Sequence, residues 1–235
     1  MIRRIITAGL LLAITLLLVF TRVGMIPVPT PAANATVAHI PAIIGGILEG
    51  PLVGLVVGLG FGFASFMSAS IPMFKDPLVA ILPRLFIGVT ASYAFAALRH
   101  ANKTVLRIMT GLLWLLLILF SYQVTRNLLW LGIVLAVISS VLAAVIFWWL
   151  RREEAQIVGL AIAAGVGSMT NTVLVLTMAV VRGYIPFEAA VGIGITHGIP
   201  EVVASAVVVV AVVAALRQVG VRRGSRLQAE SRTSG

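Results

Sequence analysis

Apolar runs of helical length dominate this chain, and its polar positions fall in short gaps between them. The runs cover about 5–20, 38–48, 52–68, 78–98, 105–122, 127–150, 156–181 and 187–215. A helix needs roughly 20 residues to cross the hydrocarbon core, so the pattern predicts an all-α, polytopic membrane bundle. The second run is short for a crossing. His39 to Met67 reads as one long span unless Glu49-Gly50-Pro51 breaks it. That tripeptide combines a charge, a helix breaker and a residue without an N–H.

The basic residues decide between the two. With a turn at 49–51, Arg3, Arg4, Arg99, Lys103, Arg107, Arg151, Arg152, Arg217, Arg222, Arg223, Arg226 and Arg232 share one side. Arg22, Lys75, Arg126 and Arg182 lie on the other, and Arg84 sits inside a span. Without the turn every later gap swaps sides, and most basic residues face outward. Cytoplasmic loops retain Lys and Arg, so the turn is expected. The prediction is eight spans, both termini cytoplasmic, and a basic disordered tail over 217–235 near anionic headgroups. Arg3-Arg4 before an apolar run resembles a signal peptide, and Ala33-Asn34-Ala35 fits a cleavage pattern. The separation between run and site is long for such a peptide.

Composition agrees with this reading. The chain has 235 residues, of which 60% are hydrophobic and 10% charged. Soluble domains carry about 25% charged residues. A net charge of +10 would suggest nucleic acid in a soluble protein. Here cytoplasmic loops explain it, so no nucleic-acid partner is expected. The absence of cysteine excludes disulfides and thiolate chemistry.

Polar groups inside the apolar runs are the candidate chemistry. The loop over 21–37 holds Pro27, Pro29 and Pro31, then Asn34 and Thr36, with His39 at the start of the next helix. Its prolines stiffen it into extended structure, which suits a ligand wall, a lid or a rigid connector. Arg84 follows Pro83 about two turns into the fourth run. A buried arginine is costly in a membrane; it snorkels, pairs with Glu201, or forks a substrate carboxylate. Thr170-Asn171-Thr172 brings a donor and acceptor to the seventh run. In the last run, Gly192, Gly194, Gly198 and Pro200 surround His197 and Glu201, which share a helical face at i, i+4. Irregular helices at membrane depth line cavities or are buried in protein. No third ligand accompanies His197 and Glu201 at helical spacing, so a metal is not expected. Together these groups suggest one outward-opening pocket for a small anionic or zwitterionic solute, with no cofactor.

Small residues form strips on three helices. Gly54, Gly58 and Gly62, and Ala164, Ser168 and Thr172, repeat every fourth residue and permit close helix approach. Gly9 and Ala13 do so on the first helix, where little else is specific and a membrane partner could dock.

The run Asn34-Ala35-Thr36-Val37-Ala38-His39-Ile40-Pro41, then Glu49-Gly50-Pro51 and a glycine-rich helix, resembles the substrate-binding S components of energy-coupling factor (ECF) vitamin transporters. Asp76-Pro77 through Pro83-Arg84 to Gly88 resembles that family's fourth helix. Thr170-Asn171-Thr172 and Gly198-Ile199-Pro200-Glu201 resemble its last two, most closely in pantothenate-type members. The resemblance covers about 1–98 and 156–215.

It implies a subunit, not an enzyme, of a prokaryotic plasma membrane. Such a subunit captures a vitamin outside and releases it inside with a transmembrane T protein and two cytoplasmic ATPases. The pocket read from the residues comprises Asn34, Thr36, His39, Arg84, Asn171, His197 and Glu201; the resemblance implies that Arg84, Asn171 and the 34–39 loop would suit pantothenate, and that T-protein docking falls at Gly9 and Ala13. The chain has no phosphate-binding loop of its own, so the ATPases would be separate chains.

Two departures stand out. The family has six spans, so 1–103 and 151–216 read as the core and 104–150 as an inserted transmembrane hairpin. That hairpin carries all four tryptophans, Trp114, Trp130, Trp148 and Trp149, as lipid-facing interface anchors. His197 stands where pantothenate-type members tend to have asparagine. Two competing readings are an autonomous channel or secondary transporter with His197 and Glu201 as a proton relay, and an intramembrane enzyme using them as acid and base.

Overall fold

Long apolar stretches without competing hydrogen-bond partners become helices, because only helices satisfy their own backbone in hydrocarbon. The computed structural model describes residues 2–27, 34–125, 129–151 and 155–233. Pro29, Pro31, Ala33, Arg126 and Arg152 lie outside the described residues, as do the side chains of Arg151, Trp149 and the tail from Arg217.

The chain divides into two compact units, 1–95 with 161–235, and 96–160. The first unit opens with α1 (Ile2–Phe20), followed by an antiparallel hairpin of β1 (Met25–Pro27) and β2 (Asn34–Thr36). Next come α2 (Ile40–Glu49), α3 (Pro51–Met67), a 3-10 turn at Pro72–Lys75, α4 (Pro77–Ala80) and α5 (Leu82–Leu98). The unit closes with α8 (Ala155–Val181) and α9 (Phe187–Thr233), α8 beginning in the second unit. The second unit is built on α6 (Lys103–Thr125) and α7 (Leu129–Arg151), which pack along each other. The Trp114 indole N–H donates to Ser140 Oγ at 3.3 Å between them.

Four described helices are long and apolar enough to cross a membrane: Ile2–Phe20, Pro77–Leu98, Gln156–Val181 and Phe187–Leu216. α2 has 10 residues, a rise of about 15 Å, half the hydrocarbon thickness. The strand and turn before it are drawn into the protein: Ala35, Ala38 and His39 are buried.

The expected break at 49–51 is present. Gly50 adopts φ +102° between α2 and α3, a conformation that suits glycine, and Pro51 opens α3, where its missing N–H costs nothing. Glycines then let three helices touch backbone to backbone. A Cβ on Gly54 would stand 2.7 Å from the Gly88 carbonyl carbon and 2.9 Å from Gly46 Cα. Gly58 abuts the Arg84 carbonyl, and a Cβ on Gly62 would lie 2.9 Å from Ile81 Cα. The strip read from the sequence is thus the seam between α3 and the α4–α5 segment, and it sets the position of Arg84.

The helix α9 runs on to Thr233, past the start of the basic tail at Arg217. The tail contains no proline, the residue least compatible with a helix interior.

Candidate functional site

The site begins with strand parity. Val37 N–H donates to the Gly24 carbonyl at 2.9 Å, and Met25 opposes Thr36, Ile26 opposes Ala35 and Pro27 opposes Asn34. Hydrogen-bonded and non-bonded pairs alternate in an antiparallel ladder. Residues 35 and 37 therefore turn their backbone groups toward β1, while those of Asn34 and Thr36 point away. They point at α9. Glu201 Oε1 accepts the Thr36 N–H at 2.7 Å, and the His197 ring hydrogen-bonds the Asn34 backbone. Two strand residues advance about 6.8 Å and four helical residues about 6 Å, so an i, i+4 pair matches alternate positions of a strand edge. The side chain of Thr36 serves the hairpin itself: its Oγ1 donates to the Gly24 carbonyl and accepts from Ala38 N–H, both at 3.1 Å.

α8 supplies the next wall. Its Thr172 hydroxyl donates to Glu201 Oε2 at 3.2 Å. Its Ser168 Oγ lies 3.1 Å from His39 Nε2, and Ser205 Oγ of α9 lies 3.0 Å from the same nitrogen. Thr170 meets Thr90 of α5 at 2.9 Å through their hydroxyls. Glu201, His197, Thr172, Ser168 and Ser205 are all buried.

Arg84 sits beneath, 3% exposed. Its placement follows from Pro83, which lacks the N–H that would cap the Val79 carbonyl four residues back. The Arg84 Nη1 donates to that carbonyl instead. The guanidinium also lies over the rings of Phe74 and Phe61, 5.3 and 5.7 Å from their centroids, within cation–π range. It is within electrostatic reach of His39 and Glu201. It does not pair with Glu201 directly, and it does not snorkel.

Asn171 is 5% exposed. One turn before it, Gly167 faces Ile87 and Ala91 of α5, and just past the end of α8 Arg182 meets Asp76, which caps α4, so α8 runs antiparallel to the α4–α5 segment. One turn from Gly167 in α8 and three residues back from Ile87 in α5 lead to the same level. That level holds Asn171 and Arg84. Among the described residues, three buried side-chain atoms lack a hydrogen-bond partner: Arg84 Nε, His39 Nδ1 and Asn171 Oδ1. Native proteins leave few such groups unpaired. One is a donor, one an acceptor, and one either, depending on tautomer.

All seven residues expected at the solute site lie in the first unit, but four act differently from expectation. Asn34 and Thr36 engage α9 through their backbone, and His197 and Glu201 hold that strand edge. Ser205 escaped the sequence reading, although it continues the every-fourth-residue row of His197 and Glu201. Phe61 and Phe74 gave no sequence signal, being two aromatics in apolar surroundings.

Ion pairs occupy the two ends of the unit. At one, Arg182 Nε stands 2.6 Å from Asp76 Oδ2, with the Tyr184 hydroxyl at 3.4 Å. The Arg182 guanidinium holds the Asp76 carboxyl below its usual range. At the other, Arg3 Nε lies 3.1 Å from Glu49 Oε1 and Arg4 Nε 4.0 Å from Oε2. A groove of about 740 Å³ opens there, lined by Arg4, Ala8, Gly9, Leu12, Leu52 and Val56 among others. Gly9 and Ala13 are exposed, and a Cβ on Gly9 would meet nothing within 4 Å. Among the described residues no group of three His, Asp or Glu side chains is placed to hold a metal ion.

The four long apolar helices place the chain among multi-pass membrane proteins. The family model for the ECF transporter substrate-specific component matches residues 3–150, well over half the chain, and the chain belongs to that family. It is therefore a substrate-specific membrane subunit of an ECF transporter, a family of transporter subunits that works with the ECF T and ATPase module. The match runs through 104–150 and stops before α8 and α9. No curated protein matches the chain.

Proposed function

We propose that this subunit captures a small carboxylate-bearing vitamin, pantothenate foremost, at the outer face of a prokaryotic plasma membrane. It delivers the vitamin inward with a T protein and two cytoplasmic ATPases. The observation that carries this reading is that Arg84 Nε, Asn171 Oδ1 and His39 Nδ1, all in the first unit, are buried without a hydrogen-bond partner among the described residues. Arg84 takes the carboxylate, and Asn171 and His39 take hydroxyl or amide groups. Pantothenate has one carboxylate, a run of hydroxyls and two amides.

The topology in this reading has eight crossings with both termini inside. It is supported by the Arg3–Glu49 pair, which brings the N-terminus to the α2–α3 turn. The 104–150 hairpin is an addition to a six-helix core. The separate compactness of 96–160 supports that, as does the packing of α8 and α9 with the first unit. Docking to the T protein falls on Gly9 and Ala13, which α1 turns away from its own buried face of Leu11, Thr15 and Val19.

Calorimetric titration of the detergent-purified protein against pantothenate, riboflavin, folate, biotin, thiamine and niacin tests the reading. One-to-one nanomolar binding, about −12 kcal/mol, of a single vitamin is expected. No heat with any of them removes the capture function.

A further inference from the structure

Resting on the capture function above, we propose that an anionic solute enters this site together with one proton, which Glu201 takes up from solvent.

Charge balance motivates the coupling. Arg84 and Glu201 are 3% and 6% exposed and lie within electrostatic reach of each other. With both ionised, their charges cancel. An uncompensated charge is costly in a low-dielectric interior. A carboxylate that docks on Arg84 leaves one net negative charge there unless a proton accompanies it. Protonation of the Glu201 carboxylate to the acid restores neutrality, and no bond to the solute is made or broken.

Hydrogen-bond geometry accommodates both forms. As carboxylate, Glu201 accepts the Thr36 N–H at Oε1, 2.7 Å, and the Thr172 hydroxyl at Oε2, 3.2 Å. Thr172 Oγ1 also lies 3.4 Å from the Ser168 carbonyl. As the acid, Glu201 keeps the Thr36 N–H on Oε1 and donates from Oε2 to Thr172 Oγ1, whose own proton turns to Ser168. A hydroxyl both donates and accepts, so the change needs only one rotor and leaves the β2 strand in place.

The groups around Glu201 leave it as the proton's site. α5 presents Arg84, which stays charged. α2 presents His39 at its start, its Nε2 already between two serine hydroxyls. α9 itself presents His197, engaged with the Asn34 backbone. β2 offers backbone N–H, and α8 offers Ser168, Asn171 and Thr172, none of which titrates.

The test is calorimetry of the full chain with pantothenate, biotin and nicotinate at one pH, in phosphate, HEPES and Tris. The dependence of heat on buffer ionisation enthalpy counts protons. About one proton per bound carboxylate is expected, with affinity falling up to ~10-fold per pH unit on the alkaline side. Glu201→Gln keeps an acceptor for Thr36 and carries no titrating proton, so it should bind with no uptake and a flat pH profile. If that variant fails to fold, the infrared spectrum of wild-type protein assigns the proton: a protonated-carboxyl C=O band that appears on solute binding supports Glu201, and proton uptake without such a band overturns the proposal. Wild-type binding without buffer dependence overturns the proposal and leaves the capture function standing. Uptake that persists in Glu201→Gln places the proton on a histidine and also overturns it. No binding of any of the three solutes overturns both.

Discussion

The carboxylate of Glu201 holds the backbone N–H of Thr36 at 2.7 Å across 165 residues of sequence. One polar side chain of the last helix thereby fixes the edge of a strand that precedes the second helix. Exposed strand edges are usually covered or blunted. Here the cover is a buried carboxylate that also bonds Thr172.

Truncation of that group should loosen the hairpin. Hydrogen bonds to charged groups contribute about 1.5–3 kcal/mol. Glu201→Ala should lower the thermal midpoint in detergent and speed amide exchange at Thr36, while Glu201→Gln should do so far less. Equal protection at Thr36 in wild type and Glu201→Ala would remove the contact from the account.

Arg84 is held by the Val79 carbonyl and two aromatic faces. Arg84→Ala should weaken binding of a carboxylate solute by roughly 10- to 150-fold, the equivalent of a charged hydrogen bond. Arg84→Lys should recover little, since an ammonium lacks the planar stacking surface. Titration of both variants against pantothenate checks this, and unchanged affinity in Arg84→Ala takes the residue out of the site.

The glycine seam tolerates no side chain. A Cβ on Gly54 would sit 2.7 Å from the backbone of Gly88, so Gly54→Leu should force α3 and α5 apart. Overpacking typically costs about 1–3 kcal/mol. The expected result is a lower melting temperature together with weakened solute binding, because the seam positions Arg84.

Gly9 and Ala13 predict the reverse pattern. Neither is buried, so a Gly9→Leu/Ala13→Leu double variant should fold and bind solute normally. Uptake by cells that carry the complete transporter should nevertheless fail. Normal uptake would sink docking at this face.

Acid should loosen the Asp76–Arg182 end first. The hydrogen bond from Arg182 holds the Asp76 pKa below its ordinary 3.8. A depressed carboxyl contributes stability that is present above the unfolded value and disappears as pH falls through the folded one. Melting temperature should therefore drop at the acid extreme, below about pH 4, and Asp76→Asn should flatten that drop. An identical acid profile in the variant would rule the pair out.

Much of the architecture was legible beforehand. Helix positions followed from apolar run lengths, and the break at Glu49-Gly50-Pro51 followed from the distribution of basic residues. The four buried polar side chains Arg84, Asn171, His197 and Glu201 stood out because polar groups are expensive in such surroundings. Less legible were their partners. Arg84 turned to the Val79 carbonyl, a consequence of Pro83, instead of to Glu201. Glu201 and His197 turned to the strand edge. Ser205 was concealed in an apolar helix although it lies one turn beyond Glu201.

Sequence alone determined the membrane class, the helices, the family motifs and the small set of polar groups that an apolar interior must account for. Those follow from composition and period, which are local properties. Tertiary structure alone decided which backbone atoms of the 34–36 strand face α9, and that Arg84 and Asn171 share a level. It also decided that, among the described residues, Arg84 Nε, His39 Nδ1 and Asn171 Oδ1 are left without hydrogen-bond partners. Each of these depends on how distant segments meet, through strand parity, antiparallel helix register and backbone contact at glycines.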